Sequence, residues 1–220
     1  MDQRSVSEAV ATLRNRITQA GGIDVALIAV TKTFGSEAWQ YAKDAGCDGV
    51  GENYAQEVVH KASEVALADR LPVHFIGQLQ SNKIKQLAGI VDVWQSVDRL
   101  SLVTEIAKRT TLAGASVMIQ VNVTDEEGKG GCAPALVGEL SRAALDLGLD
   151  VVGLMAVGPT NEDPIVARGA FRTLRTLVND HGFRHCSMGM TGDLEIAVEE
   201  GSTMVRVGSA LFGKRPSPPR

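Results

Sequence analysis

Lys32 is the first residue in this sequence that could carry covalent chemistry. It ends an apolar run, and by the two-residue period of a strand it shares a face with Ala26, Ile28 and Val30. One interpretation is a lysine whose ammonium group reaches solvent from a strand end. The other is an amine partly removed from water, whose pKa would fall and which could form a Schiff base with a carbonyl. The run alone leaves both interpretations open.

A second group of candidates lies near the C-terminal end, where Arg206 interrupts an apolar run and Gly208 and Ser209 follow it. A buried arginine needs an acceptor, so Arg206 could form a structural salt bridge with a carboxylate. Gly208 and Ser209 could be an ordinary helix N-cap. They could also bind phosphate, because free N–H groups and the helix dipole favour an anion there. Ser187, which ends an earlier run, could add a hydroxyl.

The remaining polar candidates have ordinary interpretations. Asn53, with Gln56 three residues later, resembles a helix capping pair, although its amide could also bond to a ligand. We expect His74 to be a structural histidine with satisfied hydrogen bonds. The four histidines show no metal-ligand spacing with one another or with the cysteines, so the sequence predicts no metal site.

These candidates are positioned by a regular alternation of short apolar runs and helix-like stretches. Strands separated by helices run parallel, and eight such units close into a barrel. The sequence therefore predicts one α/β domain over residues 1–213, a (β/α)8 TIM barrel with an extra N-terminal helix. An open doubly wound sheet is the alternative, but no G-x-G-x-x-G follows the first strand. The predicted strands are 25–31, 49–51, 73–76, 91–96, 116–123, 151–155, 184–187 and 203–207.

Two segments at the ends of the chain have their own predictions. An amphipathic helix over residues 5–19 is predicted to begin with a Ser5-x-x-Glu8 capping box and to bury one apolar face. Residues 214–220 contain three prolines and are predicted to form a flexible tail.

In a closed barrel the first and eighth strands are neighbours. Lys32, Ser187, Arg206, Gly208 and Ser209 would then meet at the C-terminal ends of strands one, seven and eight. Barrels of this type commonly bind phosphate with the loops after strands seven and eight. An amine, a phosphate cradle and a planar cation are what a phosphorylated carbonyl cofactor requires.

Composition narrows the class of protein further. A net charge of −4 in 220 residues, without a long basic run, argues against a nucleic-acid partner. No apolar run reaches membrane-spanning length, and the N-terminus does not resemble a signal peptide, so no membrane partner is expected. The three cysteines show no Cys-x-x-Cys spacing, which is typical of free thiols in a reducing compartment. We therefore expect a cytoplasmic protein.

Five segments of the chain resemble the YggS/PROSC family of pyridoxal phosphate homeostasis proteins. They are AVTKT around Lys32, GENYAQE at 51–57, HFIGQLQSNK at 74–83, GLMAV at 153–157, and SMGMTGDLEIAVEEGSTMVRVGSALFGKR at 187–215. The resemblance covers nearly the whole chain. This sequence departs from the family at Thr31, Gln78 and Thr191, where serine, proline and serine are more usual.

The resemblance implies a barrel like the N-terminal domain of alanine racemase. It implies pyridoxal 5′-phosphate as a Schiff base on Lys32, and Asn53 beside the ring oxygen. The phosphate would lie at Ser187, Gly208 and Ser209, and Arg206 would face the pyridine nitrogen. It further implies a role in intracellular cofactor homeostasis and in the balance of amino and keto acids, with apo enzymes as possible acceptors.

Catalysis is not the favoured function. An arginine can only donate to the pyridine nitrogen, which leaves a weak electron sink. Alanine racemase-like enzymes take a second base, a tyrosine, from a C-terminal β domain, whereas this chain ends at Arg220 and contains only Tyr41 and Tyr54. We therefore expect a monomeric carrier without robust activity. A small racemase or decarboxylase, and a Schiff-base aldolase that needs no cofactor, are the alternatives.

Lys129 lies in the glycine-rich segment 126–131, after the fifth predicted strand. The ordinary interpretation is a solvated surface charge. The alternative is a lysine that swings over the barrel mouth and helps to release the cofactor from Lys32 to an acceptor, since glycines on both sides permit movement.

Overall fold

Eight parallel strands form the closed barrel that the alternation predicts. The computed structural model of the protein describes residues 2–110, 115–161 and 163–213. The strands are β1 (Ala26–Val30), β2 (Gly49–Glu52), β3 (Val73–Phe75), β4 (Val93–Val97), β5 (Ser116–Gln120), β6 (Asp150–Met155), β7 (His185–Ser187) and β8 (Met204–Val207). They follow one another around the barrel in chain order, and β8 closes it by pairing with β1. This closure excludes the open sheet.

Helices cover the outside of the barrel. They are α1 (Gln3–Gln19), α2 (Glu37–Asp44), α3 (Ala55–Glu64), α4 (Ser81–Leu87), α5 (Leu100–Arg109), α6 (Val137–Asp146), α7 (Pro164–Asp180), α8 (Leu194–Glu199) and α9 (Ser209–Phe212). Short 3-10 turns at Leu67–Asp69 and Pro134–Leu136 precede β3 and α6. No helix in the described ranges is long and apolar enough to span a membrane.

The N-terminal helix is confirmed, but its predicted cap is wrong. Asp2 is the N-cap, and its Oδ1 accepts a 2.9 Å hydrogen bond from the backbone N–H of Ser5. Ser5 therefore lies inside the first turn, and Glu8 pairs with Arg4 instead of reaching back to the cap. The apolar face packs on the barrel as expected, with Val6, Val10, Leu13 and Ile17 buried.

The barrel interior is mixed in character. Met118, Met155 and Met204 belong to a small apolar cluster that also contains Ile28 and Val152. A hydrogen-bonded chain of polar side chains crosses the same interior and consists of His74, Gln95, Ser187 and Arg206. Strand β2 makes room for it because Gly49 has no side chain, and a Cβ there would lie 2.9 Å from the His74 ring.

The predicted tail, 214–220, lies outside the described residues. The candidate site is formed by the barrel and by loops at the C-terminal ends of its strands. These loops follow β1, β6, β7 and β8 and surround one cavity.

Candidate functional site

A cavity of about 350 Å³ opens at the C-terminal ends of β1, β6, β7 and β8. Four of the predicted site residues line it: Lys32, Arg206, Gly208 and Ser209. Barrel closure brings them together, because β1 pairs with β8 over Ala26–Ala29 and Met204–Val207. The convergence expected from the sequence is therefore present for these four residues.

Lys32 lies in a tight turn that directly follows β1. The strand ends at Val30, and the N–H of Phe34 donates a 3.2 Å hydrogen bond to the carbonyl oxygen of Thr31. Thr33 has a φ of +70°, which is unusual for a β-branched residue. The amine is thus carried on a turn whose backbone needs support from its surroundings.

That support comes from a buried polar cluster that sequence reasoning missed. Oε1 of Glu52 accepts hydrogen bonds from Thr31 Oγ1 at 2.6 Å, Trp39 Nε1 at 3.0 Å and Lys61 Nζ at 2.6 Å. Glu52 and Lys61 are almost fully buried, with 0% and 1% of each residue exposed. The available signal was Glu52 itself, a carboxylate at the end of a buried strand, which requires a cation.

Arg206 is a buried cation at the edge of the cavity. Its Nη1 donates to Ser187 Oγ at 2.6 Å, and its Nη2 donates to the carbonyl oxygen of Ala156 at 2.7 Å. Burial lowers the pKa of Arg206 to about 10, so the guanidinium is still charged at neutral pH. Within the described chain no carboxylate forms an ion pair with it. The structural salt bridge interpretation is therefore wrong.

Ser187 contacts Arg206 but is not among the described residues that line the cavity. Its residue is fully buried, and its hydroxyl donates to Gln95 Oε1 at 2.7 Å. Gln95 Nε2 in turn lies 2.7 Å from Nδ1 of His74. Burial, with a further contribution from nearby cations, lowers the pKa of His74 to about 4, so the ring is neutral and accepts from Gln95. His74 has the structural role expected for it, whereas Ser187 holds the arginine.

The hydroxyl that the β7 loop does bring to the cavity belongs to Thr191. It accepts a 3.2 Å hydrogen bond from Ser209 Oγ, and both residues line the cavity with Gly192 and Gly208. Gly208 is needed where the chain passes β1, because a Cβ there would lie 3.1 Å from the Val30 carbonyl oxygen. The sequence contained a signal for Thr191, because threonine keeps the hydroxyl of the serine that is more usual at this position.

Asn53 does not cap a helix. Tyr54 is the N-cap of α3, and no side chain bonds to that cap. The Asn53 Oδ1 atom is buried and has no hydrogen-bond partner in the described structure. A buried amide oxygen without a donor is destabilising, and it is rare in native proteins. Asn53 directly follows β2 and is not among the described residues that line the cavity.

Lys129 is held in place, so the solvated-charge interpretation is wrong. Only 14% of its side chain is exposed. Nζ donates to Thr124 Oγ1 at 3.1 Å, to Glu126 Oε1 at 3.0 Å and to the carbonyl oxygen of Gly158. Glu126 also binds Thr160, and these hydrogen bonds lower the pKa of its carboxyl to about 2. Gly158 and Thr160 line the cavity, so this cluster joins the β5 loop to the cavity wall.

Comparison with known proteins gives concordant matches. Residues 1–216 match the family described as alanine racemase, N-terminal domain. A pyridoxal phosphate homeostasis protein of Pseudomonas aeruginosa is 41% identical, and the match covers 96% of each chain. The structure of PipY from Synechococcus elongatus with PLP bound has a TM-score of 0.82 at 31% identity, covering 94% of this chain and 100% of that one. Alanine racemase of Clostridium difficile shares the fold alone, with a TM-score of 0.72 at 14% identity over 96% of this chain and 61% of that one.

Proposed function

The chain belongs to the alanine racemase N-terminal domain family, and within it to the pyridoxal phosphate homeostasis proteins, and we propose that it binds pyridoxal 5′-phosphate as a Schiff base on Lys32. Its role is to hold and supply this cofactor, and thereby to support the balance of amino and keto acids. The bound cofactor would supply a reactive aldehyde and an aromatic ring that can accept electrons.

The observation that carries the proposal is the meeting of an amine, a buried guanidinium that forms no ion pair within the described residues, and two hydroxyls around one cavity. Lys32 and Arg206 line it, and Thr191 and Ser209 form a hydroxyl pair in its wall. Its volume of about 350 Å³ suits a small ligand. The proposal also includes Asn53, whose buried Oδ1 has no hydrogen-bond donor among the described residues, although Asn53 does not itself line the cavity. The residues present therefore fit the cofactor.

Each residue then has an assigned task. Lys32 provides the amine, and Arg206 donates a hydrogen bond to the pyridine nitrogen. Thr191, Gly208 and Ser209 bind the phosphate, since the first turn of α9 has N–H groups that the helix itself does not use. For Ser187, which the sequence predicts at the phosphate, we propose instead a supporting role for Arg206, to which it is hydrogen-bonded.

We propose a carrier without robust catalytic activity. A guanidinium donates hydrogen bonds and cannot accept one. Arg206 would therefore keep the pyridine nitrogen unprotonated and leave the electron sink weak. Asp193 is the carboxylate on the described cavity wall, and its Oδ1 already accepts a 2.6 Å hydrogen bond from the Met190 N–H. The proposal assigns no proton transfer to this carboxylate.

Spectroscopy of the purified protein tests this function. We expect a visible band of the Schiff base when the cofactor is added, and its loss in Lys32→Ala. A colourless protein that gains no band would favour the cofactor-free aldolase. Incubation with L-amino acids in deuterated water separates carrier from racemase, because exchange of the α-hydrogen at ordinary enzymatic turnover would overturn the carrier.

Location and partners follow from the same proposal. The protein would act in the cytoplasm as a monomer and pass the cofactor to apo enzymes that depend on it. Cys47, Cys132 and Cys186 are buried free thiols, and burial raises the pKa of each. Unreactive thiols without disulfides are compatible with a reducing compartment.

A further inference from the structure

We infer that Glu57 and Lys61 of α3 are positioning residues for Lys32, because they hold the two peptide groups on either side of it. The inference rests on the proposed function of Lys32. It concerns the backbone of the Thr31–Phe34 turn and not the cofactor itself. Neither residue lines the cavity in the described structure.

Lys61 holds the peptide group that precedes Lys32. Its Nζ donates a 2.7 Å hydrogen bond to the carbonyl oxygen of Thr31, and Glu52 pairs with the same ammonium at 2.6 Å. Glu52 also accepts from the Thr31 hydroxyl at 2.6 Å. Thr31 is therefore fixed through both its carbonyl oxygen and its side chain. Separating the two groups would leave a buried charge without a partner, which is costly, so the pair stays together.

Glu57 holds the peptide group that follows Lys32. Its Oε2 accepts a 2.7 Å hydrogen bond from the backbone N–H of Thr33. Thr33 is the residue with the φ of +70°, a conformation that a β-branched side chain disfavours. A charge-assisted hydrogen bond at this N–H keeps the turn in that conformation. Without this hydrogen bond we expect the turn to relax to another backbone conformation and the Lys32 amine to move with it.

The two residues act from one rigid element. They stand four positions apart on α3, so their side chains lie on the same helix face, and Nζ of Lys61 is 3.8 Å from Oε2 of Glu57. Long side chains on a helix lean towards its N-terminus, which here is separated from the end of β2 by only two residues. Helix α3 thus reaches the turn after β1 with two groups of opposite charge, one for each peptide group.

A comparison of two ligands separates positioning from general support of the fold. Pyridoxine 5′-phosphate has the ring and the phosphate but no aldehyde, so its binding does not need the Lys32 amine. A residue that positions Lys32 should affect the affinity for pyridoxal 5′-phosphate and leave the affinity for pyridoxine 5′-phosphate unchanged. A residue that merely stabilises the barrel should affect both affinities alike.

Glu57 is the first residue to change, because 30% of its side chain is exposed and its removal leaves no deep cavity. We expect Glu57→Ala to weaken pyridoxal 5′-phosphate binding at least tenfold, with less than a twofold change for pyridoxine 5′-phosphate. Glu57→Gln, which keeps an acceptor for the Thr33 N–H, should recover most of the loss. Glu64→Ala is the matched control on the same helix, since Glu64 pairs with His60 near the helix end, and it should change neither affinity.

The buried pair is tested as a unit. The double variant Glu52→Gln with Lys61→Met removes both charges and avoids burying one of them alone. We expect it to show the same selective loss of pyridoxal 5′-phosphate affinity. If the double variant does not fold, the Glu57 series decides the question alone.

Failure of the positioning inference can be distinguished from failure of the proposed function. If the unchanged protein forms no Schiff base, the proposed function fails. If it forms one and Glu57→Ala binds pyridoxal 5′-phosphate normally, or loses affinity for both ligands equally, the positioning inference is overturned.

Discussion

Arg206 and Ser187 are joined by a 2.6 Å hydrogen bond in which Nη1 of the guanidinium donates to the serine hydroxyl oxygen. The same hydroxyl donates onward to Gln95 at 2.7 Å. The orientation of Arg206 at the cavity therefore depends on Ser187 and Gln95 inside the barrel, together with the Ala156 carbonyl oxygen that accepts from Nη2. In the proposed ligand site, Ser187 would act on the ring end, whereas Thr191 and Ser209 would act on the phosphate end.

This relationship predicts how phosphate recognition responds to substitution. The measurement is the ratio of the affinities for pyridoxal 5′-phosphate and for pyridoxal. Ser187→Ala should weaken both ligands and leave the ratio unchanged, because it alters only the support of Arg206. Thr191→Val should lower the ratio at least tenfold, since a hydrogen bond to a charged group contributes about 1.5–3 kcal/mol and about 1.4 kcal/mol is a decade. A ratio that falls with Ser187→Ala would return Ser187 to the phosphate.

Lys32 should be the covalent attachment point. Borohydride reduction of the loaded protein is expected to add the cofactor mass to the peptide that contains Lys32. Lys32→Ala should abolish this label and keep the fold, because the side chain lines the cavity and its removal leaves no hole in the apolar core. Lys83 and Lys129 serve as internal controls in the same digest. Label on either of them would refute the assignment, and global unfolding of Lys32→Ala would count against a role in the site.

Much of this arrangement could be predicted from the sequence, and the exceptions have physical causes. The strands follow from hydrophobic periodicity, which is a local pattern. The approach of Lys32 to Arg206 follows from closure of the barrel, which is a topological rule. The side chain of Ser187 could not be placed, because a hydroxyl at a strand end can point to the cavity or into the barrel. A lysine on an amphipathic helix is usually exposed, and only the contact of Lys61 with Glu52 on β2 explains why it is buried.

His74 predicts a dependence of stability on pH. Its pKa falls from 6.5 to about 4 on folding, so between these values the unfolded chain binds a proton that the folded protein does not. The free energy of unfolding should therefore decrease as pH falls through this window, by an amount on the order of 3 kcal/mol in total. Denaturant titrations at several pH values between 7 and about 4 check this.

The control for this prediction is His74→Gln, which keeps a polar partner for Gln95 but does not titrate. Its stability should fall less steeply with acid than that of the unchanged protein. His185, whose pKa burial also lowers, contributes in the same direction to both proteins. Equal slopes would show that His74 is not the group responsible.

Lys129 predicts an effect on transfer without an effect on binding. Its ammonium bonds to Gly158 in the cavity wall and to Glu126 in its own loop. If it leaves these partners to help release the cofactor, Lys129→Ala should keep the visible band and near-normal occupancy. Transfer to an apo-enzyme acceptor, measured by recovery of the acceptor's activity, should become slower. An unchanged transfer rate would leave Lys129 with a purely structural role in joining the two loops.

The absence of a side chain at Gly49 has a consequence far from its own position. A Cβ there would lie 2.9 Å from both Cδ2 and Nε2 of His74, so a methyl group would displace the ring. Displacement of the ring would pull on Gln95, then on Ser187, and finally on Arg206, since each is hydrogen-bonded to the next. Gly49→Ala would then act as a remote perturbation of the ligand site, transmitted across the barrel from its opposite end without any direct contact with the cavity.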